Sequence, residues 1–309
     1  MVNKIKVFAP ATVANVACGF DIFGFALDFP GDIVTATLTS KPGVTISSIS
    51  GDGSTLSHDP QKNTAGVGVI KLLASLQSSQ GIDLALQKKM PLGSGLGSSA
   101  ASAAASLFAA NTLLGSPLKL HELVPFAMEA EKAACGAAHA DNVAPSLLGG
   151  FVLIRSYNPL DLIQIPINTP LFCCVLHPKI EIHTETARGI LKKEVSLAQL
   201  VEQSGNAAGL ITGLILGDPR LISRSLQDVV VEPVRASLIP GFHTIKSAAL
   251  SAGALGCSIS GSGPSIFALA SDKRDLEVIG NAMQKACHAE GIENELFLSS
   301  INMQGPKIL

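Results

Sequence analysis

Pro91-Leu92-Gly93-Ser94-Gly95-Leu96-Gly97-Ser98-Ser99-Ala100-Ala101 decides how this chain is read. Upstream, Asp83 to Lys88 alternates Leu84 and Leu86 with polar neighbours, the pattern of a strand. Downstream, Ser98 to Leu114 is rich in alanine and predicts a helix. Glycines between a strand and a helix let backbone N–H groups approach an anion without a Cβ in the way. The helix start adds unpaired N–H groups and the positive end of its dipole. Together these make a phosphate site. Ser98 and Ser99 can cap the helix, donate to phosphate oxygens or ligate Mg²⁺. The loop is not a Walker A motif, because the G-x-x-x-x-G-K-[ST] lysine is absent. Nor is it a dinucleotide fingerprint, since G-x-G-x-x-G would need a glycine at position 98.

The rest of the chain narrows the function classes. It has 309 residues, 47% of them hydrophobic and 15% charged, with a formal net charge of −2. Length suggests two domains, and the charge gives no footprint for nucleic acid or an anionic membrane. One Tyr and no Trp leave few platforms on which bases could stack. Two uncharged stretches, Pro91 to Leu118 and Ser247 to Ser271, are long enough to span a bilayer. Gly93, Gly95 and Gly97 in the first and Gly261, Gly263 and Pro264 in the second argue against spanning, because loops cannot face lipid. The six cysteines form no CxxC pair and read as buried free thiols in a reducing compartment.

Further elements are predicted in order. Strands are expected at Lys4 to Ala9, Asp32 to Thr39, Val44 to Ser50 and Gly150 to Arg155, with a loop over Pro10 to Gly24. Helices are expected at Thr64 to Ser79, with Gly81 as its C′ residue, and at Lys119 to Ala134. Asn158 to Pro170 reads as a proline-bearing connection holding the domain boundary. Beyond it come a strand at Leu171 to Leu176 and helices at Leu197 to Leu216 and Pro240 to Ala252. Short strands at Cys257 to Ser260 and Ile266 to Ala270 flank Gly261-Ser262-Gly263-Pro264. A helix at Lys273 to Glu290 and a strand at Glu295 to Ile301 complete an α+β pattern.

Pro91 to Ala101 resembles the central motif of the GHMP kinases, the superfamily of galactokinase, homoserine kinase, mevalonate kinase and phosphomevalonate kinase. Pro10-Ala11-Thr12-Val13-Ala14-Asn15-Val16-Ala17-Cys18-Gly19-Phe20-Asp21-Ile22-Phe23-Gly24 is similar to the N-terminal motif of the homoserine kinase branch. Gly261-Ser262-Gly263-Pro264-Ser265 resembles the C-terminal glycine motif. His139 to Pro145, Gly149-Gly150-Phe151 and Val231-Glu232-Pro233-Val234-Arg235 also look like that branch. Cys18 departs from the proline common there, while its neighbours Asn15 and Asp21 are intact.

The resemblance implies a two-domain α+β fold. Residues 1–160 would form an ATP-binding half like domain 2 of ribosomal protein S5, and residues 161–309 a ferredoxin-like half. It implies a cytoplasmic enzyme of threonine biosynthesis that uses ATP and Mg²⁺ to convert L-homoserine into O-phospho-L-homoserine. A homodimer is expected, with no nucleic-acid or membrane partner. By resemblance the metal would sit on Glu131 and either Ser98 or Ser99, and Asn63 would border the adenine pocket; on its own residues, Asn63 reads as a helix cap. Thr184, Arg188 and Arg235 match substrate-binding segments, and an arginine fork suits a carboxylate. Thr184 and Arg188, four apart, can share a helix face. Asp21 and Asn15 suit the substrate ammonium, although Asx turns use the same residues. His139, Asn142 and Gly261 are candidate substrate contacts, and Asp141 is a candidate base. Two rivals remain: a kinase for another hydroxyl acceptor, and a binding protein that kept the fold and lost catalysis.

Overall fold

The computed structural model describes residues 3–136 and 138–309. The first half is built on β1 (Lys4–Ala14), β2 (Phe23–Thr39), β3 (Gly43–Ser50), α1 (Thr64–Ser75) and β4 (Gly81–Gln87). It continues through α2 (Ser98–Leu113), α3 (Leu120–Cys135), α4 (Val143–Leu148), β5 (Phe151–Tyr157) and β6 (Leu160–Ile165). β2 pairs antiparallel with β1 on one side and β4 on the other, and β4 pairs parallel with β3. β5 adds to the Phe23 end of β2 and forms a hairpin with β6. The α2 interior is almost all alanine and serine, so the helix can lie close against β1 and β2.

The second half runs β7 (Phe172–Pro178), α5 (Thr184–Gly189), α6 (Leu197–Leu216), α7 (Pro219–Ser225), α8 (Glu232–Arg235) and α9 (Phe242–Ser251). It ends with β8 (Gly256–Ile259), β9 (Ile266–Ala270), α10 (Asp275–Ala289), β10 (Asn294–Ser300) and β11 (Lys307–Ile308). Its sheet has the order β10-β7-β9-β8, antiparallel throughout. Helices connect β7 to β8 and β9 to β10, which is the ferredoxin-like arrangement.

The larger of two hydrophobic clusters draws on both halves. Because successive side chains on a strand face opposite ways, β7 serves two clusters. Cys173 and Val175 join the large cluster of the first half, whereas Cys174 and Leu176 pack with α9 and α10. Phe25 of β2 stacks on Phe151 with centroids 4.6 Å apart and meets Phe267 of β9 edge-on at 6.1 Å. Cys18, Cys173, Cys174, Cys257 and Cys287 are buried free thiols, as expected. The side chain of Cys135 lies outside the described residues.

Several expectations are corrected. β1 runs on to Ala14, so the loop starts at Asn15 rather than Pro10. A register shift between Pro10 and Thr12 accommodates the proline, which cannot donate to the ladder. α1 stops at Ser75, and Gly81 begins β4 instead of capping the helix. The stretch read as a connection at 158–170 contains β6, whose apolar residues pair with β5 between the flanking Pro159 and Pro166. The boundary expected at 160/161 therefore falls at the first residue of β6. The chain leaves the first sheet after Ile165, bridges back to Leu27 of β2 at Ile301, and adds β11 to β1, where Val7 faces Ile308.

Candidate active site

The loop between β4 and α2 owes its shape to three left-handed glycines, Gly93, Gly95 and Gly97, with φ of 64°, 77° and 68°. Two of them are also sterically required. A Cβ on Gly95 would lie 2.5 Å from the Ser260 carbonyl oxygen, and one on Gly97 would lie 2.1 Å from Thr12 Oγ1. Loop carbonyls are gripped from behind. Ser260 Oγ donates to Gly95 O at 2.7 Å, the Thr12 amide to Leu96 O at 3.0 Å and the Ser265 amide to Ser94 O at 3.2 Å. Among the described residues, the amides of Gly93, Ser94, Gly95 and Gly97 donate to no protein acceptor, and buried Ser94 Oγ has no partner. A turn of free N–H groups at a helix start is an anion cradle.

Beneath the loop lies an ion pair that the sequence reading missed. Asp32 on β2 and Lys88 just after β4 are almost wholly buried against each other. Lys88 Nζ also donates to Ser98 O at 2.8 Å and Ser102 Oγ at 2.6 Å. Asp32 accepts from the Lys89 amide at 2.7 Å and from Ser98 Oγ at 3.0 Å. All three ammonium protons are thus engaged by the scaffold, and Lys88 takes no Walker-type role. Burial lowers the Lys88 pKa, and Asp32 opposes the fall.

Glu131, near the end of α3, faces the same cavity, and its Oε1 is buried without a hydrogen-bond partner among the described residues. Burial raises its pKa, while the Ser99 hydroxyl and the charge of Lys88 hold it down. An orphaned carboxylate oxygen beside serine hydroxyls fits a hydrated Mg²⁺, which keeps most of its waters and needs few protein ligands. Ser98 has committed its proton to Asp32, leaving its lone pairs as the group it can offer a cation.

Across a cavity of about 340 Å³ stands a charged pole. Asn15, Val16 and Ala17 are all left-handed, with φ of 69°, 43° and 59°. This turn lets Asn15 Oδ1 receive the Asp21 amide at 3.0 Å while its Nδ2 donates to Gly261 O at 2.8 Å. Arg188 on α5 grips Asp21 with two bonds of 3.1 and 2.9 Å. Among the described residues, Arg235 on α8 donates only to main-chain oxygens, those of Ala187 and Gly261. Each guanidinium carbon sits 5.2 Å from the Phe20 ring centroid. Burial and the like charge of Arg188 push Arg235 down to about 10. It stays protonated at neutral pH with no carboxylate partner among the described residues, so the one carboxylate paired within the pole, Asp21, is held by Arg188 and Arg235 is left without a counter-ion. Thr184, on the same helix as Arg188, lies 3.2 Å from Ser262 Oγ.

His139 Nε2 is 3.8 Å from Asp21, and burial lowers its pKa. Asn142 Oδ1 accepts from Thr12 Oγ1 at 2.7 Å, leaving its NH₂ as a donor. Buried Asp141 makes no side-chain hydrogen bond among the described residues. Burial, then Asp21 and Glu131, push its pKa up to about 7. Tyr157, passed over in the sequence, ties this segment down: it donates to Asp21 O at 2.7 Å and accepts from the Ala140 amide at 3.3 Å.

The cavity thus gathers nearly all the residues singled out from the sequence. Pro91, Leu96, Ala100 and Ala101 are not in its lining; the last three are fully buried and shape the loop from inside. Asn63 lines it but is committed to capping α1, receiving the Ala65 amide at 3.1 Å and donating to Ser57 O at 2.9 Å.

An S5-like half, a ferredoxin-like half and a glycine-loop cradle at their seam define the class, a GHMP kinase. The family model for the GHMP kinases N terminal domain matches residues 65–150, and that for the GHMP kinases C terminal matches residues 210–289. The chain is 52% identical over 320 residues to a homoserine kinase of Chloroherpeton thalassium, covering 99% of this chain and 100% of that one. It is 38% identical over 307 residues to one of Xylella fastidiosa, covering 99% and 94%. The crystal structure of a homoserine kinase from Cytophaga hutchinsonii superposes with a TM-score of 0.97 at 54% identity, covering 100% of this chain and 98% of that one. L. major mevalonate kinase, at 15% identity and a TM-score of 0.73, shares the fold alone. The chain belongs to the homoserine kinase family. Among its described residues, no helix is long and apolar enough to cross a membrane.

Proposed function

We propose that this enzyme transfers the γ-phosphoryl group of ATP to the side-chain hydroxyl of L-homoserine. One observation carries the reading: a cradle of free amides and a zwitterion-matched pole, Asp21 beside Arg188 and Arg235, open onto one cavity. The substrate ammonium meets Asp21, and its carboxylate supplies the anion that Arg235 lacks. Mevalonate carries no ammonium to pair with the open side of the Asp21 carboxylate, whose other side Arg188 already holds.

Residues 93–99 receive the triphosphate, whose charge is matched by N–H groups and the α2 dipole. Glu131 and the Ser98 hydroxyl would hold Mg²⁺, which would supply charge neutralisation for the phosphates. Asn142 offers its NH₂ to the substrate, fixing the hydroxyl for in-line attack. The new O–P bond forms as the β–γ bridging bond breaks, ADP leaves with the electron pair, and Asp141 takes the hydroxyl proton. A carboxylate titrating near 7 is suited to that task. The test is ADP release with homoserine, mevalonate, shikimate and galactose offered separately. Turnover confined to homoserine is expected; preference for another acceptor overturns the assignment.

A further inference from the structure

On α6, Gln199, Gln203 and Asn206 place three carboxamides at i, i+4 and i+7, one face of the helix. All three hold the segment at 227–229. Gln199 Nε2 donates to Val229 O and Asn206 Nδ2 to Gln227 O, each at 3.2 Å. Gln203 does more. Its Nε2 donates both to Asp228 Oδ1 and to Cys18 O, each at 3.0 Å, while its Oε1 receives the Val229 amide at 3.0 Å. One carboxamide, with both protons and its oxygen engaged, therefore joins two separate parts of the charged pole.

On one side is the left-handed turn that presents Asn15 and Asp21, of which Cys18 is the next residue. Left-handed conformations at three successive non-glycine residues are costly and persist only where the surroundings hold them. On the other side is Asp228, whose carboxylate receives the amides of Val230 and Val231 at 2.9 Å and of Glu232 at 2.8 Å. These bonds fix the start of α8, the helix carrying Arg235. We propose that Gln203 is a positioning residue that sets the spacing between the Asp21 carboxylate and the Arg235 guanidinium, and so tunes the site for an α-amino acid. The proposal rests on the homoserine reading of that pole. Only a carboxamide serves here: glutamate would lose both donors and set a second carboxylate against Asp228, and leucine would leave Cys18 O and the Val229 amide unpaired.

The test compares Gln203→Ala, Gln203→Glu and Asn206→Ala by steady-state kinetics with each substrate varied in turn. For both Gln203 variants the KM for homoserine should rise by about 10- to 100-fold, as for a displaced binding group. The KM for ATP should stay within about twofold, since residues 93–99 share no bond with α6. Asn206→Ala, which removes one bond to Gln227 O and touches neither Cys18 nor Asp228, should leave both KM values unchanged. A thermal melt confirms that each variant is folded. Equal losses for both substrates, or an unchanged homoserine KM in folded Gln203→Ala, overturn the proposal. Failure of the parent enzyme to turn over homoserine would instead overturn the functional reading.

Discussion

The buried Asp32–Lys88 pair makes a sharp prediction. Replacing Lys88 with methionine keeps the volume of the side chain and removes its charge. Asp32, with a side chain 1% exposed, then keeps the Lys89 amide and the Ser98 hydroxyl but loses its counter-ion. Breaking a buried pair on one side costs about 3–5 kcal/mol, because the remaining charge stays buried. With a urea m-value of about 2–3 kcal/mol/M, the unfolding midpoint should fall by about 1–2.5 M. Adding Asp32→Asn removes the stranded charge while keeping an oxygen for Lys89 N or Ser98 Oγ. The double variant should regain at least half of the lost midpoint. Urea titrations of the parent, both single variants and the pair close the cycle. A Lys88→Met midpoint within about 0.3 M of the parent, or a double variant no more stable than Lys88→Met, would refute the argument from charge burial.

Asp141→Asn should lower kcat by about 100-fold with little change in either KM; a loss of only a few-fold removes Asp141 as the base. The folded-state pKa of Asp141, about 7, lies above its ordinary 3.8. The folded chain therefore keeps a proton that the unfolded chain releases between these values. Its contribution is intact below about pH 4 and is lost as pH rises through about 7; Asp141→Asn should flatten that decline in pH-dependent melts. Glu131→Gln should weaken Mn²⁺ binding in the presence of ADP, read by electron paramagnetic resonance, at least tenfold; unchanged affinity sinks its role as ligand. Arg235→Ala should raise the KM for homoserine by two orders of magnitude or so and spare that for ATP. Gly95→Ala, strained in φ and 2.5 Å from a backbone oxygen, should raise the KM for ATP and lower the melting temperature; normal values for both would show that the loop yields.

What could be read in advance was what depends on nearby residues. The glycine loop is legible because its left-handed turns and the helix it opens lie within a few positions of each other. Helix α6 was placed at its observed ends, Leu197 and Leu216, by its apolar composition. The pole residues Asn15, Asp21, Arg188 and Arg235 were named through motif resemblance; nothing local ties position 21 to position 188. The missed features are pairings across the fold. Asp32 and Lys88 face each other only because Ile33 is registered against Gln87. Tyr157 counted in the sequence as a scarce aromatic, yet its hydroxyl is what matters. The amides at 199, 203 and 206 on α6 went unremarked, because nothing in the sequence points to their partner segment at 227–229. Strand β6 was hidden by the prolines on either side of it.

Strand β7 presents Val175 to one cluster and Leu176 to the other. The two halves of the chain are thus welded along a common apolar seam. A chimera joining the front of this enzyme to the rear of a distant relative would have to re-fit Phe25 against a foreign counterpart of Phe267. Grafting specificity from one acceptor to another is therefore a matter of redesigning interior contacts, and no choice of splice site avoids it.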